Sequence, residues 1–195
     1  LMLLTRLNSI HEIAASNWDG LLTDAQPFLR HAFLSALEDS GSLGERSGWQ
    51  PAHAVLLGEH SQLLAAMPGY VKSHSYGEYV FDHGWADACH RAGIDYYPKL
   101  LGAIPFSPVT GQRVLGAPEM AGHLLDGLSG SLEQQGLSSL HVNFTTEAEN
   151  ALLQGRDGWL QRLGCQFHWR NRSYRDFQDF LDALSSRKRK QMRKE

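Results

Sequence analysis

Cysteine is scarce in this sequence, and its scarcity excludes several classes of domain. The chain has two cysteines, Cys89 and Cys165, which lie far apart. Two distant cysteines provide neither a disulfide framework nor a zinc-ligand pattern, so we expect a reducing compartment, the cytoplasm. A Gly-x-Ser-x-Gly element is also missing, which argues against a serine hydrolase with a covalent intermediate.

Long hydrophobic runs are missing as well. No apolar run approaches the roughly 18 residues that a transmembrane helix needs. No basic stretch precedes a hydrophobic core at the N-terminus, as a signal peptide would require. We therefore expect no membrane span, and the hydrophobic fraction of 42% is that of an ordinary globular protein. The sequence begins at Leu1 rather than at methionine, from which we expect it to be part of a longer protein.

Positive charge is concentrated at the end of the chain. The net charge is −3, but the last nine residues carry +5, so the body before them carries −8. An acidic body is a poor general surface for nucleic acid. The tail leaves two interpretations open, a solvated helix face at a domain junction or a contact with phosphate or tRNA. Its cations are Arg187, Lys188, Arg189, Lys190, Arg193 and Lys194.

Hydrophobic periodicity predicts alternating strands and helices. This order predicts a mixed α/β fold, with a mixed central sheet covered by helices on both faces. Residues 3–13 fit either a strand or a short helix, and residues 18–24 indicate a loop. The predicted helices cover residues 27–40, 82–92, 117–135 and 173 onward, and the predicted strands cover 53–57, 62–71, 99–105, 137–144 and 163–171. Thr145 or Thr146 can cap a further short helix, with Glu149 at or near its third position.

The last predicted strand alternates clearly between its two faces. Alternation places Cys165, Phe167 and Trp169 on one face, which we expect to be buried. His168 lies on the other face. If this strand neighbours the strand that carries His141, both histidines face the same side of the sheet.

The stretch from Tyr96 to Pro118 organises the rest of the chain. A short apolar run leads into a loop rich in proline and glycine, and a helical pattern opens at Gly116 and Ala117. Unpaired N–H groups at a helix start favour an anion, and Arg113 adds a positive charge beside them. A plain strand-to-helix connection explains the same residues, so both interpretations stay open.

This order of elements resembles the GNAT acyltransferase fold. In that fold a central strand leads to a pyrophosphate-binding loop with the pattern Gln/Arg-x-x-Gly-x-Gly/Ala. Arg113 and Gly116 match its first two positions, whereas Pro118 stands at the third and has no N–H to offer. The resemblance implies that Arg113, Gly116 and Ala117 bind the phosphates of an acyl-CoA, with only a partial match in the loop.

Five blocks in order resemble the FemAB-like predicted N-acyltransferases of bacteria. The blocks are KSHSYGEYVFD, YYPKLLGAIPFSPVTGQR, LSSLHVNF, GCQFHWRN and SSRKRKQMRKE. Members of that family look like two GNAT-like halves in tandem. The resemblance implies a GNAT-like N-terminal domain over 1–172 and a basic linking helix over 173–195, leading into an absent second domain. The related Fem transferases attach amino acids to peptidoglycan precursors.

Candidate chemical residues lie in the first of these blocks. His74 or Glu78 is a candidate general base for an amine. Lys72, Tyr76 and Tyr79 are candidate substrate ligands. The same residue types also occur in a polar surface loop anchored by aromatic side chains, so this second interpretation remains open.

Further candidates lie on the later strands. His141 and His168 are the other catalytic candidates, although histidines held by structural hydrogen bonds would give the same pattern. The remaining substrate-binding candidates are Tyr97, Lys99, Asn143 and Gln166. His83, Asp87 and His90 share helical spacing, but no third ligand is fixed by spacing, so we expect no metal.

These observations lead to one functional hypothesis and one alternative. We expect an N-acyltransferase without a tightly bound cofactor, which transfers an acyl or aminoacyl group to a small-molecule or peptide amine. Acyl-CoA and aminoacyl-tRNA are the two donors left open. The alternative is a non-catalytic half that binds the acceptor or a phosphate, with the chemistry in the missing half. We also expect Arg113→Ala to weaken binding of an anionic ligand, and residues 187–195 to be exposed.

Overall fold

The structure, a computed structural model, describes residues 2–23, 26–154 and 156–194. The chain divides into two compact units, unit 1 (Leu1–Gln161) and unit 2 (Arg162–Glu195). This division falls earlier than the domain boundary after residue 172 that the sequence suggested. Within the described residues, no helix is both long and apolar enough to cross a membrane.

Strands and helices alternate along unit 1. The strands are β1 (Leu3–Leu7), β2 (Gln50–Pro51), β3 (His53–Leu57), β4 (Leu63–Met67), β5 (Gly69–Lys72), β6 (Lys99–Gly102), β7 (Leu115–Gly116) and β8 (Leu140–Val142). The α-helices are α1 (Ala15–Asp19), α2 (His31–Asp39), α3 (His83–Arg91), α4 (Pro118–Ser131) and α5 (Glu147–Leu153). Short 3-10 helices cover Ile10–Glu12, Pro27–Leu29, Glu45–Ser47, Glu59–Ser61 and Glu133–Gln135.

The strands form two four-stranded sheets instead of one central sheet. Their orders are β1-β3-β4-β7 and β2-β5-β6-β8, with β6 and β8 parallel and the other pairs antiparallel. One residue separates β2 from β3 and one separates β4 from β5, so the chain passes directly from one sheet to the other at both places. At this crossing a Cβ on Gly69 would lie 2.4 Å from the carbonyl oxygen of Ala52, which explains the glycine.

Helices cover both faces of the first sheet, as the sequence predicted. On β3 and β4, Leu56 and Met67 belong to the core that includes Leu124 of α4. Val55, the neighbour of Leu56 on β3, belongs to the other core, with Trp18 of α1 and residues of α2. Period-two alternation therefore divides the two hydrophobic cores. The mixed α/β, GNAT-like fold is confirmed.

Several local predictions are confirmed, one of them in part. Thr146 with Glu149 forms the capping box of α5, and residues 3–7 resolve as a strand. The helix predicted from residue 117 begins at Pro118. The predicted loop at residues 18–24 is confirmed over 20–23, whereas Trp18 is a buried residue of α1 whose Nε1 donates to the carbonyl oxygen of Leu29 at 2.8 Å. Asp24 lies outside the described residues.

The predicted strand over 163–171 is wrong. Residues 159–174 have no regular secondary structure, Phe167 is 98% exposed and Trp169 is 66% exposed. Cys165 is exposed as well. Alternation states which side chains would share a face, but a strand forms only where its backbone finds a hydrogen-bonding neighbour. The expected burial of this face, and the expected common side for His141 and His168, fail with it.

Unit 2 contains two short helices, α6 (Phe177–Asp182) and α7 (Ser186–Met192). The predicted single helix from residue 173 is therefore interrupted before Ser186. The guanidinium of Arg189 donates to the carbonyl oxygens of Leu181, Asp182 and Leu184, which closes the end of α6. The basic tail is exposed as expected over its described residues, apart from the half-buried Arg189.

Candidate functional site

Two lysines lie side by side on the second sheet. Lys72 at the end of β5 pairs with Lys99 at the start of β6, and both side chains are buried. Trp49 precedes β2, whose pairing with β5 continues the same row across the sheet. Two adjacent buried ammonium groups require compensating polar groups.

The loop 73–82 supplies most of these groups. The Nζ of Lys99 donates to Ser75 Oγ at 2.9 Å, to Glu78 Oε2 at 2.9 Å and to Asp82 Oδ2 at 2.8 Å. These three bonds use every N–H of the ammonium group. Asp82 stands at the N-cap of α3 but makes no side-chain cap bond, because its carboxylate is directed to Lys99.

Two tyrosines complete the shell around Lys99. The hydroxyl of Tyr96 donates to Asp82 Oδ2 at 2.8 Å, and the hydroxyl of Tyr97 is 2.6 Å from Ser75 Oγ. Their rings also lie 5.2 Å and 5.4 Å from the Nζ of Lys99, within range of a cation–π attraction. This shell makes Lys99 the fixed centre of the cluster.

Lys72 has a different environment. Its Nζ lies 4.0 Å from the ring centre of Trp49 and makes one hydrogen bond, to the carbonyl oxygen of Tyr76 at 3.2 Å. Burial, with a smaller contribution from the charge of Lys99, lowers the pKa of Lys72 to about 8, and Glu78 opposes that shift. The ammonium of Lys72 therefore retains unused donors in a buried place.

The two carboxylates of the cluster differ in proton affinity. Burial raises the pKa of Glu78 against the opposing charge of Lys99. Burial acts the same way on Asp82, but hydrogen bonds from Lys99, Ser75 and Tyr96 outweigh it and hold the pKa of Asp82 at about 2. Since environments that separate two pKa values define acid and base roles, Glu78 is the carboxylate suited to exchange a proton.

The backbone around the cluster adopts unusual conformations. Tyr79, Phe81 and Phe106 have φ values of 61°, 51° and 57°, in the left-handed region that non-glycine residues rarely occupy. Gly77 has φ of 79°, and a Cβ there would lie 2.9 Å from the ring of Phe106. Strained residues of this kind concentrate at functional sites.

Several of the candidate residues predicted from the sequence lie together in this cluster. Lys72, Glu78, Tyr97 and Lys99 belong to it, and the carbonyl of Tyr76 contacts Lys72. The others lie around it. The ring of His74 packs 5.1 Å from Tyr76, the ring of His141 packs 5.6 Å from Tyr96, and Tyr79 is 49% exposed.

The remaining candidates have other positions. Asn143 follows β8, and its Nδ2 is buried without a hydrogen-bond partner among the described residues. Gln166 and His168 lie in unit 2, where their side chains are 3.1 Å apart. The predicted common side for His168 and His141 depended on a strand that does not form.

Hydrogen-bonding groups of the loop before α4 are paired with other groups of the same chain. Arg113 is buried, and its guanidinium donates to the carbonyl oxygens of Val109, Gln112 and Asn143. Burial lowers the pKa of Arg113 to about 10. The Oε1 of Glu149 accepts from the N–H groups of Arg113 and Val114. The geometry thus favours a braced strand-to-helix connection, and binding of acyl-CoA by Arg113 stays a prediction.

Gly116 and Ala117 complete this connection. Gly116 has φ of 107°, and a Cβ there would lie 2.5 Å from the carbonyl oxygen of Leu64. Ala117 is the N-cap of α4. The glycine is therefore explained by a close approach to β4, whether or not a ligand binds.

The candidate residues from the sequence lack four members of the cluster: Trp49, Ser75, Asp82 and Tyr96. Ser75 and Asp82 lie within the block KSHSYGEYVFD, where a carboxylate at the start of a helix was a usable signal. Trp49 carried none, because only strand register sets it beside Lys72.

The two cavities described below lie outside the cluster. A cavity of about 400 Å³ in unit 1 is lined by residues such as Leu4 and Leu128, and one of about 490 Å³ in unit 2 by Trp169 and Phe180. Neither includes a residue of the cluster, so a ligand reaches the buried charges only when the loop 73–82 moves. Within the described residues, no group of three histidine, cysteine or acidic side chains could hold a metal.

Comparison with known proteins identifies the family. No curated protein and no solved structure matches the chain. The FemAB-like family model, described as peptidoglycan biosynthesis/recognition, matches residues 9–195. Since this match covers nearly the whole sequence, including the loop 73–82 and both lysines, the chain belongs to the FemAB-like family.

Proposed function

We propose that this chain takes part in N-acyl transfer, in which an acyl or aminoacyl group is attached to an amine of a peptidoglycan-related acceptor. The observation that carries the proposal is the buried cluster of Lys99, Glu78 and Asp82. One oxygen of Glu78 accepts from Lys99, and the other has no hydrogen-bond partner among the described residues. A carboxylate held in this way can receive a proton at a defined atom.

The proposed reaction requires a base and accurate positioning. Glu78 Oε1 removes a proton from the acceptor ammonium, and the free amine attacks the acyl carbon of the donor. A C–N bond forms, the bond from the acyl carbon to the donor oxygen or sulfur breaks, and the leaving group takes up a proton. Lys99 and Asp82 are positioning residues that fix Glu78. His74 and Tyr79 lie on the same loop as candidate acceptor contacts.

For the donor, the proposal favours an aminoacyl ester over acyl-CoA. In a pyrophosphate loop of the GNAT type, backbone N–H groups serve the ligand. Here the carboxylate of Glu149 takes the N–H groups of Arg113 and Val114, so two of these donors are already used. Five cations of the tail, Arg187, Lys188, Lys190, Arg193 and Lys194, are exposed and suit contact with tRNA.

The test is transfer by the purified protein and its Glu78→Gln variant. Alanyl-tRNA and acetyl-CoA serve as alternative donors, and a peptidoglycan stem peptide serves as acceptor, with the product detected by mass spectrometry. Loss of a general base lowers the rate by about a hundredfold or more. The control is Glu133→Gln, an exposed carboxylate outside the cluster.

Two results would count against the proposal. Full transfer by a folded Glu78→Gln variant would remove Glu78 from the reaction. Acceptor binding without transfer from either donor would favour the alternative, a non-catalytic half that holds the acceptor.

A further inference from the structure

The inference begins with hydrogen-bonding groups that the cluster leaves unused. Lys99 uses all three donors, but Lys72 uses one, in a long bond of 3.2 Å to the carbonyl of Tyr76. The side chain of Lys72 is fully buried. A buried ammonium with two unused N–H groups lacks the partners that such a charge normally has.

An unused acceptor lies in the same cluster. Glu78 is 2% exposed, and its Oε1 has no hydrogen-bond partner among the described residues. A further buried donor, the Nε1 of Trp49, lies on the Lys72 side, again without a partner in the described chain. The unused groups thus comprise donors around Lys72 and two carboxylate oxygens, Glu78 Oε1 and Asp82 Oδ1. Of the two carboxylates, Glu78 is the one whose charge acts on the pKa of Lys72.

This arrangement specifies the charges of a complementary ligand. The donors around Lys72 suit a carboxylate, and Glu78 suits an ammonium. Among the described residues, no ion pair joins Lys72 to Glu78, so a ligand that bridges them would not have to break one. The four charges of Lys72, Lys99, Glu78 and Asp82 already sum to zero. A zwitterion would keep the buried cluster neutral, whereas a simple amine or a simple anion would leave a net buried charge.

The loop 73–82 now occupies this place. The carbonyl oxygen of Tyr76 accepts a hydrogen bond from Lys72, and a Cβ on Gly77 would lie 3.1 Å from the Nε1 of Trp49. Tyr76 and Phe81 of this loop are 70% and 80% exposed. Displacement of the backbone at Tyr76 and Gly77 would therefore release the donors of Lys72 and Trp49 together, while Glu78 stays hydrogen-bonded to Lys99.

We propose that Lys72 and Glu78 bind the zwitterionic end of an α-amino acid, with Lys72 on its carboxylate and Glu78 on its ammonium. This inference rests on the proposed function, because the bound amine is then the acceptor. The acceptor is an amine with a carboxylate on the neighbouring carbon. A free amino acid and a peptide side chain that ends in an amino acid group share this chemistry.

Two matched pairs of probes test the proposal by titration calorimetry. L-alanine is compared with L-alaninamide, which lacks the carboxylate. A peptide containing diaminopimelate is compared with the same peptide containing lysine, whose side chain lacks that carboxylate. We expect the carboxylate to improve affinity by about tenfold to a hundredfold in at least one pair, as for charge-assisted hydrogen bonds. The pair that discriminates identifies the source of the ligand.

Variants assign this preference to Lys72. In Lys72→Met, the carboxylate and amide forms should bind equally, and the control Lys188→Met in the exposed tail should keep the full preference. A general loss of folded protein leaves the ratio of the affinities for the two probes unchanged. Equal binding of both forms by the unaltered protein, no binding of any probe, or a preference retained in Lys72→Met would overturn the inference.

Binding is measured without turnover, so the two proposals can fail separately. Discrimination between the probes together with full transfer by Glu78→Gln would refute the catalytic role alone. Loss of transfer in Glu78→Gln together with equal probe affinities would refute the zwitterion site alone.

Discussion

At the scale of single residues, the neighbours Lys72 and Lys99 show how one side-chain type has opposite energetic consequences. Lys99 has a complete set of charged and polar partners, whereas Lys72 has one carbonyl and the face of Trp49. A buried charge without a counter-charge lowers stability, and its removal relieves that cost. Removal of a paired charge instead leaves its partners uncompensated.

The same substitution should therefore have different effects at the two positions. We expect Lys99→Met to lower the free energy of unfolding by roughly 3–5 kcal/mol, because two carboxylates remain buried without their cation. Lys72→Met should leave that free energy unchanged or raise it. Urea denaturation at pH 7 measures both. A loss of more than about 1 kcal/mol in Lys72→Met would show that Lys72 stabilises the fold.

The pH dependence of Lys72 provides a second readout with a defined sign. Its pKa is lowered from 10.5 to about 8 in the folded chain, so folding disfavours the charged form. Below pH 8 this cost is fully present. As pH rises from 8 toward 10.5, the unfolded chain binds more protons than the folded one, and stability rises relative to Lys72→Met. A constant difference between the two proteins over that range would contradict the assignment.

At the scale of elements, the connection from β6 to α4 depends on a residue of a different element. Glu149 belongs to the first turn of α5, where its Oε2 also accepts from the N–H of Thr146 at 3.1 Å. Its other oxygen binds the N–H groups of Arg113 and Val114. One carboxylate therefore caps α5 and braces the loop.

We expect Glu149→Ala to destabilise the chain by roughly 3 kcal/mol, because three backbone N–H groups lose their acceptor. Glu147→Ala is the matched control, since Glu147 is an exposed acidic residue of the same helical turn. Its loss should cost about 0.5 kcal/mol through the helix dipole alone. Thermal and urea unfolding of the two variants provide the comparison, and equal losses would show that the brace contributes nothing.

At the scale of the whole molecule, the two units differ in their regular secondary structure and in their buried hydrophobic contacts. Unit 1 has two sheets and hydrophobic cores on both faces of the first. In unit 2, residues 162–174 have no regular secondary structure, and Leu163 and Phe167 are almost fully exposed. Segments with few buried contacts and few backbone hydrogen bonds open at low free-energy cost.

Limited proteolysis should reveal this difference. Trypsin should cut first after Arg162, Arg170 and Arg172, while sites within unit 1 such as Arg113 should resist, because a protease requires an accessible extended backbone. Mass spectrometry of the early fragments identifies the cuts. Early cleavage within unit 1, or protection of all three predicted sites, would contradict this description.

The sequence by itself determined the elements that local physics controls. Apolar runs predicted the strands β3 and β4, and their alternation divides the two cores because side-chain direction in a strand follows a period of two. The helical pattern from residue 117 predicted the start of α4, and the pair Thr146 and Glu149 predicted that of α5 through capping. The polar loop 73–82 also stood out as a candidate site, since its residue types were unusual for a core strand.

Only the tertiary structure decided which residues become neighbours. Strand register placed Lys72 beside Lys99 and Trp49, and no local pattern encodes register between separate strands. The same limit explains the failed strand at 163–171, whose alternation was real but whose backbone has no partner in the described chain. It explains Arg113 as well, because its guanidinium donates to the carbonyl oxygen of Asn143, on a segment distant in sequence.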